Sequence, residues 1–366
     1  QRMSPQRKYK FILSGGGTGG HIFPALAIAD ALKKRFPESS FHFVGALGRM
    51  EMERIPEHGY TITGLPISGL NRQQKLKNLG FPFKLAKSLA ICRFLLRDRK
   101  PDVVIGTGGF ASGPLLWQAQ RYKIPTVIQE QNSLPGITNK LLGKKATAVC
   151  VAYDGLEKWF ATEKIIKTGN PIRAAVLQTL PEKAGAKVSF GLVADKRTIL
   201  VLGGSLGARA INRAVAAQLE NLTANNTQVL WQCGKLYVDE YSALNSENVK
   251  VNAFINDMNT AYAAADIIIS RAGAGTISEL CVVGKPVILV PSPNVAEDHQ
   301  THNARALSKV NAAVLLPETE LAKLAEKTAE VLSSVEVQTR LSVNIKKLAQ
   351  PNATEEIVNH IISLLK

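Results

Sequence analysis

Long apolar runs are missing from this 366-residue chain. Nothing in it approaches the ~18–20 consecutive apolar residues that a membrane-spanning helix needs, so no such span is expected. Cysteine is scarce. Cys92, Cys150, Cys233 and Cys281 stand far apart with no Cys-x-x-Cys pair, which argues against a zinc ribbon or a disulfide framework and fits a reducing cytosol. Residues 1–10 are basic and run straight into a strand, without the apolar core of a secretory signal. Aromatic residues are 6% of the chain, hydrophobic residues 45% and charged residues 20%, proportions of a folded soluble protein rather than a disordered or fibrous one. At this length one hydrophobic core is too few, and two domains are expected.

Acid is what the first half lacks. Through Asn170 there are 26 Lys and Arg against 11 Asp and Glu, so nearly all of the formal charge of +16 lies there. Such asymmetry points to a polyanionic partner. No nucleic-acid recognition module accompanies the charge, so nucleic acid is not expected. Residues 72–100 are densest, with nine basic side chains and the single acid Asp98. Leu79, Phe81, Phe83, Lys84 and Lys87 lie in this stretch, and from Leu85 the apolar residues recur at helical spacing. An apolar wedge ringed by cations suits the surface of an anionic membrane. A core helix with a solvated basic back fits the same pattern.

The two halves share a grammar. Residues 8–13 form a β-run that feeds the loop Gly15-Gly-Gly-Thr-Gly-Gly-His21 and then a helix predicted over 25–35. Residues 198–202 feed Gly203-Gly-Ser-Leu-Gly-Ala208 and a helix predicted over 211–219. Downstream, Asp102-Val-Val-Ile corresponds to Asp266-Ile-Ile-Ile, and Pro125-Thr-Val-Ile to Pro286-Val-Ile-Leu. Strands apolar on both faces, alternating with helices, predict an α/β chain of two Rossmann-like, doubly wound domains facing each other across a cleft. The expected boundaries are 1–169 and 170–350. Residues 351–366 would form a helix that packs back toward the first domain, and Thr168-Gly-Asn-Pro171 would be the hinge.

A tight glycine loop between strand and helix leaves amides unpaired and lets a diphosphate approach them. Gly15, Gly17 and Gly20 satisfy the dinucleotide fingerprint GxGxxG, yet neither expected second strand ends in the carboxylate that a nicotinamide site uses. Gly203-Gly-Ser205-Leu-Gly207 satisfies the GxSxG nucleophile elbow, with Asp266 and His299 as triad partners in chain order alone. Ser205 is better read as a hydroxyl donor to phosphate. Ser270-Arg-Ala-Gly-Ala-Gly-Thr-Ile-Ser-Glu279 follows a buried strand and opens a helix. Amides at Ala274, Gly275 and Thr276 would meet phosphate. Glu279 would accept from ribose hydroxyls, or would complement the helix dipole.

Eight stretches then occur in order: the loop ending in His21, Gly108-Gly-Phe-Ala-Ser-Gly-Pro114, Gln129-Glu-Gln-Asn132, Gly169-Asn-Pro-Ile-Arg173, Gly203-Gly-Ser-Leu-Gly-Ala208, Phe254-Ile-Asn-Asp-Met258, Arg271-Ala-Gly-Ala-Gly-Thr-Ile-Ser-Glu279 and Glu297-Asp-His-Gln-Thr-His-Asn-Ala304. As a set, from residue 8 to the C-terminus, they resemble the MurG family of GT-B glycosyltransferases, which add N-acetylglucosamine to lipid I in bacterial peptidoglycan synthesis. The resemblance implies that UDP-N-acetylglucosamine is held mainly by the second domain. The Ile255 backbone would meet uracil, Glu279 the ribose, and Ser205, Arg173 and the Ala274–Gly275–Thr276 turn the nucleotide and its diphosphate. Gln300 and Asn132 would contact the sugar, and Thr18, Gly19 and Gly20 also count among the donor residues. Gly15, Gly16, Gly17, Thr107, Gly108 and Gly109 would face the diphosphate of the undecaprenyl-linked acceptor. The basic patch would dock on the inner face of the cytoplasmic membrane. Leu206, Gln129 and Gly275 depart from the family's commoner Gln, His and larger apolar residue.

The implied reaction inverts the anomeric centre, with the acceptor 4-hydroxyl as nucleophile. His21 is the leading general base, or else stiffens its loop; Glu130 is the reserve. With no Asp-x-Asp pair after a strand, and no third ligand beside His299 and His302, neither metal nor cofactor is expected. The alternatives are a GT-B transferase for another lipid or small-molecule acceptor, a dinucleotide-dependent oxidoreductase and a non-catalytic nucleotide-binding membrane adaptor.

Overall fold

The computed structural model describes residues 7–69, 80–204, 207–295 and 298–365. The chain divides into two compact units, residues 1–172 with 352–366, and 173–351.

In the first unit the strands are β1 (Lys10–Gly15), β2 (Ser40–Ala46), β3 (Thr61–Leu65), β4 (Val103–Gly108), β5 (Thr126–Glu130), β6 (Ala148–Val151) and β7 (Ile165–Lys167). They lie in the order β3-β2-β1-β4-β5-β6-β7, every neighbouring pair parallel. The helices are α1 (Gly19–Arg35), α2 (Glu51–Glu57), α3 (Phe81–Arg99), α4 (Ser112–Arg121) and α5 (Ile137–Gly143). Strands buried on both faces explain the continuous apolar runs such as Phe11–Leu13 and Val103–Ile105. One face packs under α3 and α4, through Cys92, Leu95, Leu96, Leu115 and Leu116. The other packs under α1, through Ile22, Ile28 and Leu32.

The second unit repeats the design. Its strands are β8 (Arg197–Leu202), β9 (Thr227–Gln232), β10 (Val249–Asn252), β11 (Ile267–Ser270), β12 (Val287–Leu289) and β13 (Val314–Leu315). The order β10-β9-β8-β11-β12-β13 is again all parallel. The helices are α6 (Lys183–Ser189), α7 (Arg209–Ala217), α8 (Leu219–Leu222), α9 (Val238–Tyr241), α10 (Met258–Ala264), α11 (Ala274–Val283), α12 (His299–Ser308), α13 (Leu324–Ser333) and α14 (Val335–Lys346). The Asp102 and Asp266 repeat has a mechanical basis. The Asp102 carboxylate accepts from Lys10 N at 2.8 Å, and the Asp266 carboxylate from Thr198 N at 2.8 Å. Each ties the start of a central strand to its neighbour. Asp266 therefore sits at the far end of β11 from the glycine turns, bound also to Lys183 and Lys187. That placement, away from the loops after β8 and β11, argues against its part in the expected triad.

The last helix, α15 (Ala353–Ser363), lies on α1 in the first unit. Ile357, Val358 and Ile361 enter the core beside Ile28 and Leu32. Each such side chain contributes roughly 1.5–3 kcal/mol on burial. The exposed Arg35–Glu355 pair at 3.0 Å adds at most about 1 kcal/mol, so apolar burial holds the helix.

Two sequence expectations shift. Helix α1 starts at Gly19 rather than Ala25, so Gly19, Gly20 and His21 form its first turn. The expected hinge is pinned: Thr168 N and Gly169 N both donate to Val151 O at 3.1 Å. Asn170 is buried, donating to Gln131 O at 3.0 Å and accepting from Gln129 Nε2 at 2.8 Å. The boundary between units falls after Ile172.

Candidate active site

In an open parallel sheet, ligands bind outside the carboxyl ends of the strands where the chain order reverses. In the first unit that point lies between β1 and β4, whose following loops are residues 16–18 and 109–111. They are clamped together. Gly16 N donates to Gly108 O at 3.2 Å, and Thr107 Oγ1 to His21 O at 2.6 Å. Ser112 Oγ donates to Gly108 O at 2.9 Å and to Ser14 O at 3.2 Å. The glycines here are steric necessities: a Cβ on Gly15 would overlap Thr107 Oγ1, and one on Gly109, at φ +95°, would overlap Gly16 O.

This clamp corrects part of the predicted acceptor site. Gly16 N is committed to Gly108, and Gly17 N donates to the Glu51 carboxylate at 2.9 Å. The Thr107 hydroxyl is spent on His21 O, and its carbonyl accepts from Gln131 Nε2 at 2.7 Å. The first bonds of α1 run from His21 N and Ile22 N to Thr18 O. The amides of Thr18, Gly19 and Gly20 precede those bonds, at a helix N-terminus of the kind that suits an anion. His21 Nδ1 lies 3.0 Å from Gly16 O, a carbonyl that can only accept, so this contact calls for a proton on Nδ1. The ring sits over the Gly108 Cα, where a Cβ would come within 2.8 Å.

Glu130 takes a different place from the one expected of a reserve base. It is buried, and burial raises its pKa. Its oxygens accept from Asn132 N at 2.9 Å, Asn132 Nδ2 at 3.3 Å, Gly136 N at 3.2 Å and Asn139 Nδ2 at 2.7 Å. With its lone pairs so occupied, Glu130 organises the loop that carries Asn132. Gln129 joins Gln131 and Asn170 in a buried amide network.

In the second unit the corresponding loops follow β8 and β11. Helix α11 makes its first bond from Ile277 N to Gly273 O, so the amides of Ala274, Gly275 and Thr276 precede it. Nothing lies within 4 Å of a Cβ built on Gly275, so its space is open. Glu279 is beyond the first turn and its side chain is 9% exposed, which removes the helix-dipole reading. Its oxygens accept from Arg173 Nε at 2.6 Å and Nη2 at 2.5 Å, and from Tyr262 Oη at 3.3 Å. The pairing raises the Arg173 pKa further, chiefly through those hydrogen bonds. Two of the three Arg173 nitrogens are thus spent on Glu279. Ile255 N donates to Gln232 Oε1 at 2.8 Å. Gln232 Nε2 reaches Gly204 O at 3.2 Å, a link between the Ile255 loop and the loop after β8 that the sequence pattern did not reveal.

Gln300 Oε1 accepts from Ser292 N at 2.9 Å and Ala272 N at 3.3 Å. It borders a cavity of about 480 Å³ lined also by Arg209, Arg213, Arg271 and Glu318. Ser205 and Leu206 lie outside the described residues. Neither β2, ending in Ala46, nor β9, ending in Gln232, presents a carboxylate to a ribose. Among the described residues no three His, Cys, Asp or Glu side chains are grouped to hold a metal ion.

On the basic patch, Leu79 lies outside the described residues. Helix α3 starts at Phe81, earlier than expected, and Phe81 packs with Leu85 on the core. Phe83 is 80% exposed, with Lys84 and Lys87 exposed beside it. Phe94, absent from the expected set, is 73% exposed. Phe83, Lys87, Phe94 and Arg97 share one helical face. Among the described residues no helix is long and apolar enough to cross a membrane.

Two doubly wound units, each with unpaired amides at its switch point, define a nucleotide-sugar transferase of GT-B architecture. The glycosyltransferase family 28 N-terminal domain matches residues 11–151, and the family 28 C-terminal domain matches residues 198–357. The chain belongs to glycosyltransferase family 28 and, within it, to the MurG family. It is 54% identical to the UDP-N-acetylglucosamine–N-acetylmuramyl-(pentapeptide) pyrophosphoryl-undecaprenol N-acetylglucosamine transferase of Flavobacterium psychrophilum, over 98% of both chains. It is 53% identical to the transferase of the same name from Christiangramia forsetii, over 97% of this chain and 98% of that one. The crystal structure of Acinetobacter baumannii MurG superposes with a TM-score of 0.79 at 29% identity, covering 98% of this chain and all of that one.

Proposed function

We propose that this enzyme moves N-acetylglucosamine from UDP-N-acetylglucosamine to the 4-hydroxyl of the N-acetylmuramoyl unit of lipid I, with inversion, and so forms lipid II. The observation that carries the donor side is the buried Glu279 behind the open amides of Ala274, Gly275 and Thr276. Arg173 and Tyr262 use three of its four lone pairs, and the one that remains accepts a ribose hydroxyl while the helix N-terminus faces the diphosphate. The Ile255 carbonyl is the group available to uracil. Arg173, held by Glu279, keeps Nη1 for the charge that grows on departing UDP, a fixed stabilisation that requires no reorganisation.

The first unit takes the lipid-linked acceptor. His21 Nε2 receives the proton of the 4-hydroxyl as the O4–C1 bond forms and the bond from C1 to the UDP oxygen breaks. The Thr18, Gly19 and Gly20 amides face a diphosphate. The exposed stripe of α3 supports docking of this unit on the anionic cytoplasmic face of the membrane, with Phe83 and Phe94 entering the acyl boundary and Lys84, Lys87 and Arg97 meeting lipid phosphates. No nucleic-acid partner is proposed.

Radiolabel transfer from UDP-N-acetylglucosamine to a lipid I analogue, with the product linkage determined, tests the reaction. A β-linked product supports it. Absence of transfer, or retention of the α-linkage, overturns it.

A further inference from the structure

The peptide unit between Gly16 and Gly17 is gripped at both ends. Its N–H donates to Glu51 Oε2 at 2.9 Å, and its carbonyl accepts from His21 Nδ1 at 3.0 Å. The other oxygen of Glu51 accepts from Ala46 N at 3.0 Å, which fixes the carboxylate to the end of β2. Glu51 is 1% exposed. Gly16 and Gly45 are both glycine where it passes: a Cβ on Gly16 would overlap its carboxylate, and one on Gly45 would come within 2.5 Å of its Cγ. Two glycines thus clear the path of one buried acid.

We infer that Glu51 is a positioning residue for the transfer reaction, acting on His21 through the Gly16–Gly17 peptide. A carboxylate hydrogen-bonded to a peptide N–H polarises that peptide and makes its carbonyl a stronger acceptor. The carbonyl holds the Nδ1–H tautomer of His21, orients the ring and favours its protonated form, the task that a carboxylate or carbonyl performs behind a metal-bound histidine. Among the described residues, Glu51, from α2, is the charged side chain hydrogen-bonded to this peptide. The neighbours on β1, β4 and the loops after them include Ser14, Thr18, Thr107, Gly108 and Ser112, whose side chains carry no charge. Without Glu51 the peptide could turn over, and the Gly16 carbonyl would leave Nδ1.

This inference rests on His21 as the base, and its test separates the two. The 15N shifts of the His21 ring, followed against pH in the free wild-type protein and assigned with His21→Gln, report tautomer and pKa without any substrate. The wild type should show the Nδ1–H tautomer. Glu51→Gln keeps one acceptor oxygen and removes the charge. It should lower the His21 pKa by on the order of one pH unit and reduce kcat roughly 10-fold, with the KM for UDP-N-acetylglucosamine unchanged. An Nε2–H tautomer in the wild type overturns the inference whether or not the variant folds. An unshifted His21 titration in folded Glu51→Gln does the same. Should the tautomer and shift appear while His21→Ala keeps normal turnover, the relay stands and the base assignment falls.

Discussion

The turn at the start of α1 follows β1, and the turn at the start of α11 follows β11, the counterpart of β4; both lie at a switch point, yet they use glycine for opposite reasons. In the first unit Gly15, Gly16 and Gly109 are glycine because neighbouring atoms already fill the space of a Cβ. In the second, Gly275 has nothing within 4 Å. The first turn is braced from outside by Glu51, Thr107 and Ser112. The second draws its buried carboxylate, Glu279, from its own helix and its cation, Arg173, from outside it. A closed-packed turn suits the task of holding a histidine in one orientation. An open one suits a nucleotide that must enter and leave. Two turns at a switch point can therefore both leave amides unpaired while differing in how closely they are packed.

Substitutions at the two turns should separate these roles. The largest effect is expected for Gly109→Ala, which places a Cβ against the Gly16 carbonyl at a φ of +95°. It should destabilise the protein by about 2–4 kcal/mol. Displacing His21 should also cost on the order of 100-fold in kcat, read from thermal unfolding and single-turnover kinetics. Next, Glu279→Ala should raise the KM for UDP-N-acetylglucosamine roughly 10–100-fold, the range for hydrogen bonds to a charged group. An unchanged KM would assign the carboxylate to holding Arg173 alone. Phe83→Ser with Phe94→Ser should weaken binding to anionic vesicles about tenfold, measured by sedimentation, while turnover of a water-soluble acceptor analogue stays intact. Equal vesicle binding would return α3 to the role of a core helix with a solvated back. Gly275→Ala should do least, with donor KM changing by no more than about threefold, since the added methyl meets no protein atom. A large loss there would mean that the open turn is as tightly specified as the closed one.

The comparison also sorts what could be read along the chain. The twin strands, the glycine turns and the Asp102 and Asp266 repeat were all visible, because each is a short local pattern that recurs in the second half. So was the basic stripe, though its wedge was misplaced: Phe81 and Phe83 are two residues apart, and helical geometry turns one inward and the other out. Glu130 was assigned to chemistry on the strength of its motif, while three-dimensional packing surrounds it with four N–H donors. Glu51 carried no signal at all. Its partner Gly17 is 34 residues away, and the two meet because β1 and β2 are parallel neighbours.

Pattern along the chain was enough for the fold class, for the positions where amides stay unpaired and for the half that bears the charge. These follow from backbone freedom, apolar periodicity and counting, which are local or additive. Which amides remain open, which carboxylate is spent on structure and which nitrogen of His21 meets the Gly16 carbonyl were settled by packing. Parallel crossovers bring together residues 34 to 106 positions apart, and a hydrogen bond depends on tenths of an ångström that no spacing rule encodes.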